Sequence, residues 1–166
     1  WRGEEIERIW LDVRLPGLDL LAGRRVVALR RGDRVVVDDL GKEIRYGKLL
    51  LATGGTPRRL PFGGDRVVTF RTVDDYRRLR ALADAGAEVA VIGGGFVGSE
   101  VAAALATSGL RPTLIFPEAT LGARVFPRDL GLHLNDLYRE RGVRVLAGTS
   151  VAGVEPGRGE RTLVRT

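Results

Sequence analysis

EVAVIGGGFVGSEVAAALATSGLRPTLIFPE, residues Glu88 to Glu118, is the stretch that decides the fold. A short apolar, β-branched run, Val89 to Ile92, breaks into three consecutive glycines and then into an alanine-rich helical pattern that ends at Gly109. The order is strand, tight turn, helix. Gly93, Gly95 and Gly98 make G-x-G-x-x-G, and each position has its own physical reason: the first allows the sharp turn, the second lets a diphosphate approach the backbone, the third lets helix pack closely on strand. The free amides and positive dipole end of a helix starting near Phe96 then face that diphosphate. Pro112 to Phe116 reads as the next strand, and Glu118 stands 20 residues after Gly98, close to where an acid takes the ribose hydroxyls. The pattern predicts dinucleotide binding. The competing reading is a strand-to-helix turn with packing glycines and no ligand.

Working outward, TVDDYRRLRALADAG upstream reads as a helix, with Thr72 and Asp75 as a capping-box start, Tyr76, Leu79, Leu82 and Ala83 on one face, and Gly86 as its stop. Downstream, Pro127 is placed to occupy the first turn of a helix carrying Leu130, Leu134, Leu137 and Tyr138, closed by Gly142. Val143 to Ala147 follows as a strand, and a second meander turns around Pro156 to Gly159. The resulting β-α-β-α-β order is one mononucleotide-binding half of a Rossmann-type sheet with right-handed crossovers.

Residues Trp1 to Leu20 show no clear periodicity, with a turn at Pro16-Gly17. Three β-rich runs, Val26 to Leu29, Arg34 to Val37 and Glu43 to Tyr46, are separated by Gly32-Asp33 and Leu40-Gly41 and read as an antiparallel meander. Leu49 to Ala52 is continuously apolar and stops at Thr53-Gly54-Gly55, the pattern of a buried, parallel-type strand opening into a loop. Pro57, Pro61 and Gly63-Gly64 mark a linker.

Composition excludes several chemistries. The 166 residues contain no cysteine, which rules out disulfides, cysteine-ligated metals and a redox dithiol within this chain, and a single histidine, His133, reads as a solvent-facing helix residue rather than a base. The net charge of +6 comes from 25 arginines and two lysines scattered among acids, with no block of like charge, so a nucleic-acid partner is not expected. No apolar run is long enough to span a membrane, and the first residues do not resemble a signal peptide. The expected location is cytoplasmic, with mitochondria left open. The chain has no methionine and begins on Trp1, which reads as an interior piece of a longer protein.

Taken together, GGGFVGSE before a helix, LIFPE after the second strand, LLLATGGTPR ahead of the linker and FRTVDDYRRL resemble the flavin-dependent pyridine nucleotide oxidoreductases, most closely the apoptosis-inducing factor and ferredoxin reductase branch. The resemblance implies an α/β fold, with the Rossmann-type parallel sheet of an NAD-binding domain, residues 56–166, preceded by part of an FAD domain with its antiparallel β-meander, residues 1–55. It implies FAD contacts at the Val26 backbone, the Thr53-Gly54 loop and Arg71, although Arg71 also reads as one of many surface arginines. It implies NAD contacts at Gly93, Gly94, Gly95, Phe96, Val97 and Gly98, a ribose acid at Glu118, and a basic residue near the nucleotide at Arg124. The family's first glycine motif and a later flavin motif do not occur in this stretch, so the stretch alone is expected to bind FAD poorly and to be inactive. The cysteine pair of the thioredoxin reductase branch is absent, which disfavours that branch.

The implied activity is hydride transfer from NADH to FAD and on to an acceptor, either a small redox protein or a quinone-like molecule, in an enzyme for which a dimer is left open. Glu100 is the implied catalytic residue, steering the nicotinamide; read from the helix alone it is an acid in the first turn that stabilises the helix amino end. Phe96 reads equally as a cover on the nicotinamide pocket or as a core plug. Glu118 favours NADH, and Arg111 and Arg124 would favour NADPH if either turned toward the ribose. The alternatives are an NADH-controlled, redox-sensing interaction protein like apoptosis-inducing factor, and a plain NAD-binding module without flavin.

Overall fold

Three short runs of β-branched residues fold on one another near the start of the computed structural model, which describes residues 16–159 and 161–166. The aperiodic stretch before Pro16 lies outside the described residues. The chain forms two compact units, Arg2–Gly55 and Thr56–Thr166. In the first, β1 (Val26–Arg30), β2 (Val35–Asp38) and β3 (Glu43–Arg45) form an antiparallel meander in that order. The second strand begins at Val35 rather than Arg34 because Arg34 takes φ 53 inside the turn, a left-handed conformation that no strand admits. Asp38 builds the next turn. Its carboxylate is 2% exposed and accepts the Leu40 and Lys42 amides at 3.0 and 2.7 Å and the Arg24 guanidinium at 3.0 Å.

The apolar run Leu49 to Ala52 is not a strand. Leu50 and Leu51 are 85% and 68% exposed, and no strand among the described residues pairs with them. A strand apolar on both faces requires neighbours on both edges and both faces, and the described residues of Arg2–Gly55 supply none.

In the second unit a single 3-10 turn, Gly64–Arg66, precedes α1 (Val73–Asp84). Thr72 caps α1: its hydroxyl accepts the Asp75 amide at 3.1 Å and Asp75 Oδ2 accepts the Thr72 amide at 2.7 Å, the reciprocal box its sequence predicts. Then come β4 (Ala90–Ile92), α2 (Phe96–Thr107), β5 (Thr113–Ile115), α3 (Arg128–Glu140) and β6 (Arg144–Leu146). The three strands form a parallel sheet in the order β4-β5-β6, with Val91 opposite Leu114 and Leu114 opposite Val145. An antiparallel pair, β7 (Gly153–Pro156) and β8 (Thr162–Arg165), follows.

The core lies where the apolar faces of the helices meet the sheet. Leu79 and Ala83 of α1, Val101, Ala102 and Leu105 of α2, and Val91, Leu114 and Val145 of the strands form one cluster with Phe116 and Leu121. Leu105 and Leu114 are fully buried, worth about 2 kcal/mol each. Two predicted core positions face solvent instead: Leu82 is 41% and Leu130 43% exposed. On α3 the most buried positions are Gly131 and Asn135, so this helix turns a small and a polar residue inward. Pro127 is the N-cap, one residue ahead of the first turn it was expected to occupy.

Candidate functional site

At the carboxyl end of β4 the chain must reverse into α2 within three residues, and each glycine meets a different constraint. Gly93 takes φ 117, a conformation side chains rarely adopt, and its amide donates to the Ile115 carbonyl of β5 at 2.8 Å. A Cβ at Gly98 would stand 2.0 Å from the Gly93 carbonyl oxygen, so the helix can lie this close only without one. A Cβ at Gly94 would stand 2.6 Å from the Phe116 ring. Gly95 differs: it is exposed, and nothing lies within 4 Å of where its Cβ would be. It is the N-cap of α2 and offers no side-chain cap to the helix amides. The turn is therefore an open cradle at the positive end of a 12-residue helix, with room left for an anion.

The acid follows at the carboxyl end of β5. Glu118 has a side chain 35% exposed, and its carboxylate lies 3.8 Å from the Arg124 guanidinium, itself 89% exposed. So long and solvated a pair contributes at most about 1 kcal/mol. Arg124 thus sits beside the predicted ribose acid. Arg111 lies before β5, whereas Glu118 follows that strand.

The segment after Glu118 is tied down by backbone and by one side chain that sequence reading missed. The Gly148 amide donates to the Glu118 carbonyl at 2.8 Å and the Gly122 amide to the Gly94 carbonyl at 2.9 Å. Asn135, 2% exposed, accepts the Leu121 amide and donates to the Ala119 carbonyl, both at 3.0 Å. The only sequence signal was a polar residue inside an otherwise apolar helix face.

Phe96 and Val97, at the start of α2, are 56% and 54% exposed. Phe96 meets the Phe126 ring edge to face, centroids 6.0 Å apart, so it is no core plug. Glu100 is the fifth residue of α2, and the first turn holds no acid. The expectation of a first-turn carboxylate is corrected: Glu100 is exposed one turn further along, where the dipole contribution has fallen off. His133 is exposed on α3, as its position predicts.

The residues implied for flavin lie apart in the sequence. Val26 is 57% exposed on β1, and Thr53 and Gly54 are exposed in an irregular loop, Gly54 at φ 71. Arg71 is exposed just before α1, its backbone amide donating to Asp75 Oδ2 at 3.0 Å. The amides of Thr72 and Arg71 and the Thr72 hydroxyl hold the Asp75 carboxyl below its ordinary value. A cavity of about 420 Å³ opens elsewhere, between the carboxyl halves of α2 and α3, lined by Ala103, Ala106, Leu137 and Tyr138 among others; it contains none of the candidate residues.

A parallel β-α-β-α-β unit with an uncapped glycine turn at the first helix and an acid at the end of the second strand defines a nucleotide-binding α/β protein of the Rossmann class. More narrowly, the chain belongs to the pyridine nucleotide-disulphide oxidoreductase family, whose family profile matches residues 8–166. It is 41% identical over 163 residues to the ferredoxin–NAD(+) reductase component of the anthranilate 1,2-dioxygenase system of Burkholderia cepacia, covering 95% of this chain and 39% of that protein. It is 35% identical over 145 residues to the mitochondrial apoptosis-inducing factor 1 of Dictyostelium discoideum, covering 82% of this chain and 27% of that protein. The crystal structure of the covalent putidaredoxin reductase–putidaredoxin complex superposes with a TM-score of 0.73 at 31% identity, covering 86% of this chain and 36% of that one. The chain thus spans well under half the length of these relatives.

Proposed function

We propose that this chain carries the NADH site, and part of the FAD site, of an NADH:acceptor flavin oxidoreductase. The observation that carries the reading is the open cradle at Gly95: a backbone position with free space around it at an uncapped helix end, followed by Glu118 at the end of the next strand. There the diphosphate rests against the amides of Gly95, Phe96 and Val97, Gly93 and Gly94 shape the bend, Gly98 keeps helix and strand together, and Glu118 takes the ribose hydroxyls. An acid at that position repels a 2′-phosphate, so NADH is the substrate. Arg124, already beside Glu118, neutralises part of its charge. Val26, Thr53, Gly54 and Arg71 are this chain's contribution to holding FAD, which when bound supplies the two-electron acceptor for the hydride. Glu100, exposed on α2, orients the nicotinamide.

A small redox protein is the electron acceptor this reading favours, supported by the ferredoxin reductase relative and by the putidaredoxin seen with its reductase. The test is a pair of titrations on the intact protein. NADH binds more tightly than NADPH, and Glu118→Ala reduces that preference; tighter NADPH in the wild type would refute the assignment. Glu100→Ala slows flavin reduction, and unchanged binding and reduction would return Glu100 to a surface role.

The 35% identity to apoptosis-inducing factor 1 favours a second reading, an NADH-controlled interaction protein. Slow flavin reduction and a long-lived reduced flavin with NAD⁺ bound would support it over turnover.

A further inference from the structure

Glu118 can grip a ribose only if its backbone is fixed, and the segment that carries it has almost no secondary structure of its own. Between the end of β5 and Pro127 the chain runs through Glu118, Ala119, Thr120, Leu121 and Gly122 as bends and turns. Past Phe116, which is bonded to Leu146 and Thr149, backbone partners from other elements hold it at Glu118, from Gly148, and at Gly122, to Gly94. The three residues between have one clamp. Asn135 of α3 accepts the Leu121 amide and donates to the Ala119 carbonyl, both at 3.0 Å, so one side-chain amide pairs with the segment on both sides of Thr120. The helix reaches that close because position 131, one turn earlier, is glycine: a Cβ there would stand 2.6 Å from the Thr120 side chain. Thr120, Leu121 and Asn135 are all at least 95% buried, so water does not replace a lost partner cheaply.

We infer that Asn135 is a positioning residue for the adenosine-ribose end of the dinucleotide site, acting through the segment that presents Glu118. This rests on the proposed NADH site, and it adds a residue that touches neither ribose nor diphosphate. Its amide fixes the exit direction of the chain after Glu118.

The experiment is a double-mutant cycle on the intact protein, read as equilibrium dissociation constants for NADH and for nicotinamide mononucleotide, which lacks the adenosine half. Asn135→Leu keeps a side chain of similar volume and strands the Leu121 amide and the Ala119 carbonyl. It weakens NADH binding about tenfold, the size expected for a buried group losing its partner. Binding of nicotinamide mononucleotide changes by less than about twofold. In a Glu118→Ala background the same substitution adds less than about twofold for NADH, because the carboxylate it positions is gone. Asn135→Asp has nearly the same shape, keeps the acceptor for Leu121 and sets a carboxylate against the Ala119 carbonyl. It gives a loss in the same direction and serves if the leucine variant does not fold. Equal losses in both backgrounds, equal losses for both ligands, or no loss in either variant would overturn the inference. Failure of the wild type to bind NADH at all would instead overturn the site on which it rests.

Discussion

Gly95 and Gly98 are three residues apart, and they separate binding from folding. At Gly95 the backbone is in a region open to any residue, φ −84 and ψ −173, and no protein atom would meet an added methyl. Gly95→Ala is therefore expected to leave stability within about 0.5 kcal/mol of the parent. Its methyl occupies the space left for the diphosphate, so affinity for NADH falls at least about tenfold. Gly98→Ala is the opposite case: the methyl would stand 2.0 Å from a backbone oxygen that cannot rotate away, so strand and helix must part. The expected loss is about 1–3 kcal/mol of stability, with affinity falling as a consequence. Thermal melts and NADH titrations of the two variants check this. A Gly95→Ala protein with undiminished affinity would mean that the diphosphate does not rest on this turn.

At the level of the elements, α1 offers a pH-dependent test. Asp75 is held below its ordinary value of 3.8, first by the Thr72 amide, then by the Thr72 hydroxyl and the Arg71 amide. A carboxylate whose folded value is depressed stabilises the fold above its unfolded value, and that contribution disappears as pH falls through the folded one. The stability difference between wild type and Asp75→Asn is thus expected to persist from neutrality down to about pH 4 and to shrink below it. Thr72→Ala removes the hydroxyl from the cap and costs about 1 kcal/mol. Denaturant midpoints at neutral and acid pH measure both.

This cap and the glycine turn were legible in the sequence because each is made by residues within a few positions of one another. The same holds for the meander and for the alternation of strand and helix after Glu88. What was not legible depends on distant partners. An apolar run such as Leu49 to Leu51 signals burial but does not name what buries it, and here Leu50 is 85% exposed. Leu82 and Leu130 fit a helical stripe, yet the sheet covers only the narrower faces that hold Leu79, Ala83 and Leu134. Asn135 and Asp38 read as ordinary polar residues. Asn135 has partners 14 and 16 positions away, and Asp38 has one 14 positions away, distances that no local pattern encodes.

Over the whole molecule, the candidate site and the core of Thr56–Thr166 are continuous. Leu114 and Phe116, 0% and 1% exposed, lead directly to Glu118; the Phe116 ring lies against Gly94, and the Gly93 amide is bonded to the strand between them. A ligand that needs both the glycine turn and Glu118 therefore binds only when the sheet β4-β5-β6 is assembled, and its binding energy adds to the stability of that sheet. At a free NADH concentration 100 times the dissociation constant the stabilisation is about 2.7 kcal/mol, which for a unit of this size raises its melting temperature by on the order of 10 °C. In Glu118→Ala, a tenfold weaker site at the same NADH concentration gives roughly half that free energy and a correspondingly smaller shift. Calorimetry with and without NADH, together with amide exchange at Gly93 and Leu121, separates the outcomes. Binding that left both the transition and these amides unchanged would place the nucleotide away from the sheet and sink the assignment of the turn.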